Sequence, residues 1–412
     1  MKSLAIFVVC FVACLGEVAR FDNYRVYQIT IDNGKQLAVL EQIQFGWDGV
    51  QFLRTPFRTQ EVIELVVPPH KLCDVIELFK SLKIKYKLLT PNIQSVIEKQ
   101  LQAGSKNLHF GWKNYYNVST IYAWLDDLLQ KHPNILTNYN FGTSYEGRPL
   151  RAIKVSYRKG NPTIFIEATI HGREWPAAAV ATYILNELVT PSDAEFRQLA
   201  HNYDWVIVPV LNVDGYEYTH TTDRLWRKTR KPHPVKSYCV GADGNRNFDI
   251  LHAEVGASND PCTIGYPGPE PFSEPETRAL ATFIKSFDNI KLYLAFHQYG
   301  QLVLFPHSYT SARVHNYDDL HNIAEKTKRA ISKRYGTRYT IGSVGETIFA
   351  ISGTSIDWVH QVQNISLTFH CEFRDTGNLG FLLAPEEILP TALEFVDGLK
   401  AMVREAKTRK YL

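Results

Sequence analysis

The feature that most constrains the fold of this chain is a series of apolar, β-like segments in its C-terminal two-thirds. The segments are LRAIKVSY, PTIFIEATI, DWVIVPVLNVDG and KLYLAFHQYG, which begin at residues 150, 162, 204 and 291. Their apolar residues are nearly continuous, as in strands that are buried on both faces of a sheet. Helical patterns such as AAAVATYILNELV and ETRALATFIKSF lie between or after them. This alternation predicts an α/β domain in which helices cover both faces of a largely buried sheet.

The N-terminal third of the chain has a different pattern. From residue 23 to about 90, short strand-like and helical segments follow one another in the order β-α-β-β-α-β, which is the ferredoxin-like order. A helical connector, NIQSVIEKQLQAGSKNL, follows and ends in a polar tip, and such tips are preferred sites of proteolytic cleavage. We therefore expect a leader at 1–16, a small α+β domain at 17–106 and a larger domain at 107–412.

The N-terminus and the cysteines indicate a secreted protein. Lys2 precedes an apolar stretch that is followed by small residues, which is the anatomy of a cleaved signal peptide. Among the six cysteines, Cys239 and Cys262 flank a loop-rich segment. A disulfide there would suit an oxidising compartment, although other pairings stay open. Cys371 lies in an apolar run and is expected to be a buried thiol.

The charge and hydropathy of the chain exclude two classes of partner. The formal net charge is +3, which implies no strongly charged partner, so nucleic-acid binding is not expected. No segment after the leader is long and apolar enough to cross a bilayer, so membrane insertion is not expected either. We expect a soluble, extracellular monomer.

A metal site is indicated at the ends of two apolar strands. His171 and Glu174 follow PTIFIEATI, and His297 stands near the end of KLYLAFHQYG. The carboxyl ends of parallel strands are where α/β sheets place their sites, and zinc binds imidazole nitrogen and carboxylate oxygen. A histidine and a glutamate three residues apart are a weak signal alone, and His297 has the alternative of being a hydrogen-bonded core histidine. His132, His201, His220 and His315 lie in polar surroundings and are expected at the surface.

Glu372 is a carboxylate within the apolar run TFHCEF. Burying a carboxylate is unfavourable unless it is paired or has a function. Glu372 is therefore predicted either to pair with Arg374 or to act as a general base beside the metal.

The basic run DRLWRKTRKPHPVK is expected to face a cleft in part, because Trp226 lies among its arginines. Its alternatives are a solvated face or a heparin or nucleic-acid contact. Asn245 and Arg246 lie downstream, and an amide beside a guanidinium is suited to gripping a carboxylate.

From about residue 112 to 405 the chain resembles the digestive carboxypeptidase A family of zinc exopeptidases. The runs that carry the resemblance are SYEGRPL, HGREW, NVDGYEYTH, RLWRKTR, GNRNFD, FHQY, SGTSIDW and EFRDTGNLGFLL, which occur in the family's order. The N-terminal third resembles the activation segment of that family. The resemblance implies a mixed central sheet with helices on both faces, preceded by a ferredoxin-like activation domain. It also implies one zinc ion per chain.

The resemblance assigns the catalytic roles residue by residue. His171, Glu174 and His297 match the zinc ligands, and Glu372 matches the general base that activates water. Arg227 matches the residue that polarises the scissile carbonyl and stabilises the oxyanion.

Further residues match the substrate-binding positions of the family. Asn245 and Arg246 match the pair that holds the terminal carboxylate, and Arg173 matches a nearby subsite arginine. Tyr299 and Phe381 match residues of the cleft that contact the substrate.

Two supporting features also follow from the resemblance. Asp243 matches the carboxylate that orients His171, as metal-binding histidines generally require. Cys239 and Cys262 match a disulfide of the family.

The chain departs from the family pattern at the substrate pocket. Phe349 replaces a mobile tyrosine, so the stacking surface is kept and the hydroxyl is lost. His370 stands where relatives have a smaller residue on the pocket wall. The resemblance places Ile356 at the pocket floor, where relatives that cut after lysine or arginine carry an acidic residue. We therefore expect a preference for aromatic or large aliphatic C-terminal residues.

These features predict a secreted zinc exopeptidase made as a zymogen. Its expected partners are peptide and protein C-termini, an activating trypsin-like protease and proteinaceous carboxypeptidase inhibitors. The alternative is a catalytically silent binding protein on the same fold, which the loss of the tyrosine at Phe349 favours and the intact ligand, base and arginine positions oppose. A serine hydrolase is disfavoured because the sequence has no G-x-S-x-G motif.

Overall fold

The computed structural model describes residues 18–46, 49–53, 59–104 and 110–412. The predicted signal peptide and the expected cleavage site near Lys106 lie outside the described residues. Within the described residues, the strands form one four-stranded and one eight-stranded sheet. The strands are β1 Arg25–Ile31, β2 Gln51–Phe52, β3 Glu61–Val67, β4 Lys85–Thr90, β5 Leu136–Thr143, β6 Pro149–Val155, β7 Thr163–Ala168, β8 Asp204–Val208, β9 Ile290–Gln298, β10 Leu302–Phe305, β11 Thr340–Ser343 and β12 Leu367–Phe373. The α-helices are α1 Gly34–Gly46, α2 Leu72–Ser81, α3 Ile93–Gly104, α4 Val118–Lys131, α5 Trp175–Val189, α6 Ala194–Asn202, α7 Val213–Thr221, α8 Pro275–Lys285, α9 Tyr317–Tyr335, α10 Val344–Thr347, α11 Ser355–Gln361 and α12 Ile388–Thr408.

The N-terminal unit has the predicted β-α-β-β-α-β order, followed by α3. Its antiparallel sheet has the strand order β2-β3-β1-β4. Tyr27, Ile29 and Ile31 on one face of β1 belong to the unit's own apolar core. Val26, on the other face, belongs to a cluster that includes Leu225 from the larger unit. Alternate residues of a strand face opposite sides of a sheet. One face of this sheet therefore packs against the helices of the N-terminal unit, and the other face contacts the larger unit.

The larger sheet is mixed, as expected, with the strand order β11-β10-β12-β9-β7-β8-β6-β5. The strands β12, β9, β7 and β8 run parallel to one another, and every residue of β7 and β8 is buried. Ile164 and Ile166 of β7 pack into one apolar cluster, whereas Phe165 between them packs into another. The two clusters lie on opposite faces of the sheet, and α5, α9 and α12 contribute to the first while α8 and α11 contribute to the second. This confirms the predicted α/β architecture.

The cysteines of the larger unit lie as predicted. Cys239 and Cys262 form a disulfide, and Cys371 is a fully buried free thiol. No helix in the described part of the chain is long and apolar enough to span a membrane.

Candidate active site

The residues predicted to bind metal converge at the carboxyl ends of two neighbouring parallel strands. β7 leads through a short turn to His171 and Glu174, which immediately precedes α5, while His297 is the penultimate residue of β9. Nδ1 of His171 lies 2.7 Å from Oε1 of Glu174, and Nδ1 of His297 lies 3.0 Å from Oε2. All three residues are buried, and one ligand atom from each lies within 4.8 Å of the others.

The hydrogen bonding of His171 shows that this group fits a metal cation. Nε2 of His171 lies 3.0 Å from Oδ1 of Asp243. The pKa of Asp243 lies well below its usual range, so this carboxylate is ionised and accepts from Nε2; a neutral imidazole, which burial favours, then presents the lone pair of Nδ1 to Glu174. Two acceptors at 2.7 Å repel each other unless a positive charge lies beside both. Two imidazole nitrogens and one carboxylate are a catalytic zinc set that leaves a coordination position open.

Burial supports the ligand form of both histidines. Removal from water lowers the pKa of His171, and the positive charge of Arg227 lowers it further. Burial also lowers the pKa of His297, well below its usual range. The imidazoles are therefore neutral, as metal ligands must be.

Asp243 connects the metal ligands to the neighbouring arginine. Its Oδ2 accepts hydrogen bonds from Nη2 and Nε of Arg227, at 2.9 and 3.1 Å, while its Oδ1 also accepts from the backbone N–H of Asn245 at 2.9 Å. Burial opposes the charge, but Arg227, Arg246 and His171 outweigh it and hold the pKa of Asp243 well below its usual range. One ionised carboxylate therefore orients both a metal ligand and Arg227.

The first half of the basic run, Arg224 to Lys228, packs at or beside this site, whereas Val235 and Lys236 at its end are exposed. Arg227 lines the cavity, with Nη1 3.5 Å from Oε1 of Glu174. Arg224 is buried, with its guanidinium carbon 3.6 Å from the ring centroid of Trp175. Lys228 is also buried and donates to the carbonyl oxygen of Pro261. The prediction that part of the run faces a cleft is confirmed.

Asn245 and Arg246 lie beside Asp243 at the same cavity. Oδ1 of Asn245 accepts a hydrogen bond of 3.0 Å from the backbone N–H of Ser355. Nη1 of Arg246 donates to the backbone carbonyl of Asn245 at 2.8 Å. These contacts hold an amide and a guanidinium together next to the metal ligands.

Glu372 is placed by strand pairing. Its position on β12 is directly paired with that of His297 on β9. Arg374 does not pair with Glu372, since its guanidinium binds Glu387 and Glu394. Burial alone would raise the pKa of Glu372, but the hydrogen bond from His370 and the nearby guanidinium of Arg227 lower it. The carboxylate is therefore ionised beside the metal ligands.

The cavity lined by His171, Glu174, Arg227 and Glu372 has a volume of about 370 Å³, which is within the range of small-ligand sites. Its apolar lining includes Leu302, Ile348, Phe349 and Ile351. Ile356 is not part of the lining and belongs, with Leu304 and Val344, to the buried apolar cluster. His370 does reach the lining and adds a polar group to it.

The N-terminal unit covers the cavity. Phe52 and Leu53 contribute to its lining, and the hydroxyl of Tyr299 donates a 2.8 Å hydrogen bond to Glu64. The guanidinium carbon of Arg173 lies 3.9 Å from the ring centroid of Phe381, and Nη2 donates to the backbone carbonyl of Leu53. Burial lowers the pKa of Arg173 to about 9. The predicted substrate contacts of Arg173, Tyr299 and Phe381 are thus partly taken by the N-terminal unit.

Helix α3 adds a polar contact between the two units. The side chain of Gln100 accepts from Nε of Arg224 at 2.7 Å and donates to the carbonyl oxygen of Leu383 at 2.9 Å. Gln100 is buried, so both hydrogen bonds are shielded from water.

Comparison with known proteins relates this arrangement to a family. The family profile described as "Zinc carboxypeptidase" matches residues 121–398, and the one described as "Carboxypeptidase activation peptide" matches residues 27–100. Zinc carboxypeptidase A 1 of Anopheles gambiae is 40% identical over 415 residues, covering 99% of this chain and 95% of that protein. Carboxypeptidase B of Astacus astacus is 42% identical over 300 residues, covering 72% of this chain and 98% of that protein. The crystal structure of thrombin activatable fibrinolysis inhibitor has a TM-score of 0.88 and 28% identity, covering 94% of this chain and all of that chain.

Proposed function

The chain belongs to the zinc carboxypeptidase family, and from this premise we propose that it is a secreted exopeptidase that removes aromatic or large aliphatic residues from peptide C-termini. It is a zinc metallocarboxypeptidase that is made as a zymogen and acts on peptide substrates. The observation that carries the proposal is that His171, Glu174 and Glu372 line one cavity, with His297 completing the ligand group beside them.

In the proposed mechanism, Glu372 takes a proton from the attacking water and later gives it to the leaving amine. The water oxygen bonds to the carbonyl carbon, and the peptide C–N bond breaks. A zinc ion held by His171, Glu174 and His297 would supply Lewis-acid polarisation of the carbonyl and would lower the pKa of the water. Arg227, which Asp243 holds by two hydrogen bonds, stabilises the negative charge that develops on the carbonyl oxygen.

Recognition of the free C-terminus is assigned to Asn245 and Arg246. An amide and a guanidinium together offer several donors to a carboxylate, and both lie at the cavity. Holding the carboxylate there places only the last peptide bond within reach of Glu372, because reaction requires the reacting atoms to be close and aligned. Arg173, Tyr299 and Phe381 would contact the preceding residues once the N-terminal unit has left.

The side-chain preference is supported by the apolar lining of the cavity. Leu302, Ile348, Phe349 and Ile351 lie along it. By the family resemblance, Ile356 occupies the position at which relatives that cut after lysine or arginine carry an acidic residue. Burying a large apolar side chain contributes about 1.5–3 kcal/mol.

The proposed function is tested by measuring kcat/KM of the activated enzyme for blocked dipeptides that end in Phe, Leu, Arg or Glu. We expect Phe and Leu to be preferred. A tenfold preference for Arg or Glu, which corresponds to about 1.4 kcal/mol, would contradict the proposed preference. If the zinc-loaded, activated chain hydrolysed none of the four dipeptides, the proposal that it is an active exopeptidase would be contradicted.

We propose domain boundaries at 17–106 for the activation domain and 107–412 for the catalytic domain, with activation by a trypsin-like protease near Lys106. The cover that Phe52 and Leu53 form over the cavity supports low activity of the uncut chain. N-terminal sequencing of the active form tests the boundary, and a start after residue 117 would contradict it.

Secretion is supported by the disulfide between Cys239 and Cys262, which is stable in oxidising compartments. Proteinaceous carboxypeptidase inhibitors are proposed as further partners of the activated cleft.

A further inference from the structure

His370 is a buried histidine next to the catalytic groups that has no part in the mechanism above. It lies two residues before Glu372 on β12, so the two side chains share one face of the sheet. Its ring stacks on the ring of His297, with a centroid distance of 4.0 Å and an angle of 13° between the planes. Its Nε2 lies 2.8 Å from Oε1 of Glu372.

These contacts determine the protonation and the orientation of the ring. Glu372 is ionised and can only accept, so Nε2 of His370 carries a hydrogen and donates it. The stack on His297 restrains the plane of the ring. A donor held in this way restrains the carboxylate oxygen that it binds.

The same residues resemble a second metal-binding group, because ligand atoms of His297, His370 and Glu372 lie within 4.8 Å of one another. The stacking argues against a shared ion. The lone pairs of an imidazole lie in the ring plane, and two nearly parallel planes do not direct them to one point between the rings. The hydrogen bond to Glu372 is the interaction that the geometry supports.

The consequence for Glu372 is an asymmetric environment. Oε1 is held by His370, whereas Oε2 is buried and has no hydrogen-bond partner among the described residues. Arg374, which follows β12 directly, is engaged by Glu387 and Glu394. Without His370, the described residues would leave neither oxygen of Glu372 with a side-chain hydrogen bond.

We propose that His370 is a positioning residue, which fixes one oxygen of Glu372 so that the other faces the reacting water. This proposal rests on the proposed role of Glu372 as the general base. Misplacement of a reacting group by about 1 Å can cost about 100-fold in rate.

The test compares two substitutions at this position in the full-length, zinc-loaded chain after limited trypsin digestion. His370→Leu removes the donor and keeps a similar volume, whereas His370→Gln places an amide nitrogen near the position of Nε2. His360→Leu is the matched control, because His360 and His370 are both 6% exposed. Melting temperature and zinc content are measured for every variant.

We expect His370→Leu to lower kcat by about tenfold to 100-fold, and to change KM by less than about threefold. His370→Gln should recover most of the lost kcat, and His360→Leu should retain it. A purely structural role would lower the melting temperature without this recovery by Gln. An unchanged kcat in His370→Leu, or a change confined to KM, would overturn the proposal.

A readout that does not require activity separates this inference from the proposed function. Crystal structures of the zinc-loaded zymogens should show one Glu372 rotamer in the wild type, and a different or divided rotamer in His370→Leu. An identical Glu372 rotamer in both would overturn the positioning role, even if the enzyme were inactive. Absence of wild-type turnover would instead contradict the proposed function.

Discussion

Asp243 is the residue whose replacement should disturb the site most broadly without removing a metal ligand. One of its oxygens faces Nε2 of His171 and the backbone N–H of Asn245, and the other accepts twice from Arg227. In Asp243→Asn, only one of these two positions can hold an oxygen, and the amide nitrogen must face donors at the other. Asp243→Ala removes both acceptors.

The size of the effect in Asp243→Asn depends on whether the amide oxygen faces His171 or Arg227. If the amide oxygen faces His171, the hydrogen bonds from the Arg227 guanidinium are lost, and a hydrogen bond to a charged group contributes about 1.5–3 kcal/mol. This corresponds to a fall in kcat/KM of about tenfold to 150-fold. If the oxygen faces Arg227, the support of the metal ligand is lost, which typically costs about 10–100-fold in metal affinity or activity. Asp243→Ala should show both losses.

The assay measures kcat/KM for a blocked dipeptide ending in Phe, together with zinc affinity by competition with a chelator. Asp204→Asn is the matched control, because Asp204 is also buried and paired, with Lys154, but lies on β8 outside the cavity lining. Asp204→Asn should retain the kcat/KM and the zinc affinity of the wild type. If Asp243→Ala kept kcat/KM and zinc affinity within about threefold of the wild type, the organising role of Asp243 would be refuted.

Three further predictions concern the metal, the pocket and the core. His297→Ala should lose zinc and activity while its melting curve stays cooperative; a purified variant with full activity would show that the ligand assignment is wrong. Phe349→Tyr should restore a substrate hydrogen bond of about 0.5–1.5 kcal/mol and lower KM with little change in kcat, whereas a large rise in kcat would place the hydroxyl in the chemical step. Burial raises the pKa of Glu276 from 4.5 to about 8, so the folded state holds a proton that the unfolded state releases, and its contribution to stability falls as pH rises through this window. Between pH 5 and pH 8, the melting temperature of Glu276→Gln should therefore fall less than that of the wild type. Equal falls in the two proteins would contradict the raised pKa.

The sheet and the metal ligands could be predicted because they depend on local patterns. The apolar runs of β7 and β9 are nearly continuous, so their burial and their parallel arrangement with helices follow from the sequence. His171 and His297 stand at the ends of these runs, and parallel neighbours place their ends together. The roles of Arg227 and Asn245 required the resemblance, because no local pattern brings them to the same cavity.

The features that sequence did not reveal depend on neighbours from distant parts of the chain. His220 was expected at the surface because its neighbours along the chain are polar, but its ring stacks on Trp175 at 4.0 Å. The hydrogen bond between His370 and Glu372 depends on the rotamers that packing against His297 selects. The resemblance predicts that Ile356 forms the floor of the substrate pocket. In the structure, other residues line the cavity, so this role stays a prediction.

The hydrogen bonds of Gln100 with Arg224 and Leu383 have a consequence for how the zymogen becomes active. Cutting the chain beyond α3 removes a covalent link but none of these contacts, nor the contact between Glu64 and Tyr299. The released segment is then a non-covalent ligand of its own enzyme, and the appearance of activity follows the dissociation of a complex. The lag after cleavage should shorten on dilution or on further digestion of the segment, and gel filtration of the nicked chain would show whether the two pieces still elute together. Activation is then governed by a dissociation constant as well as by a protease.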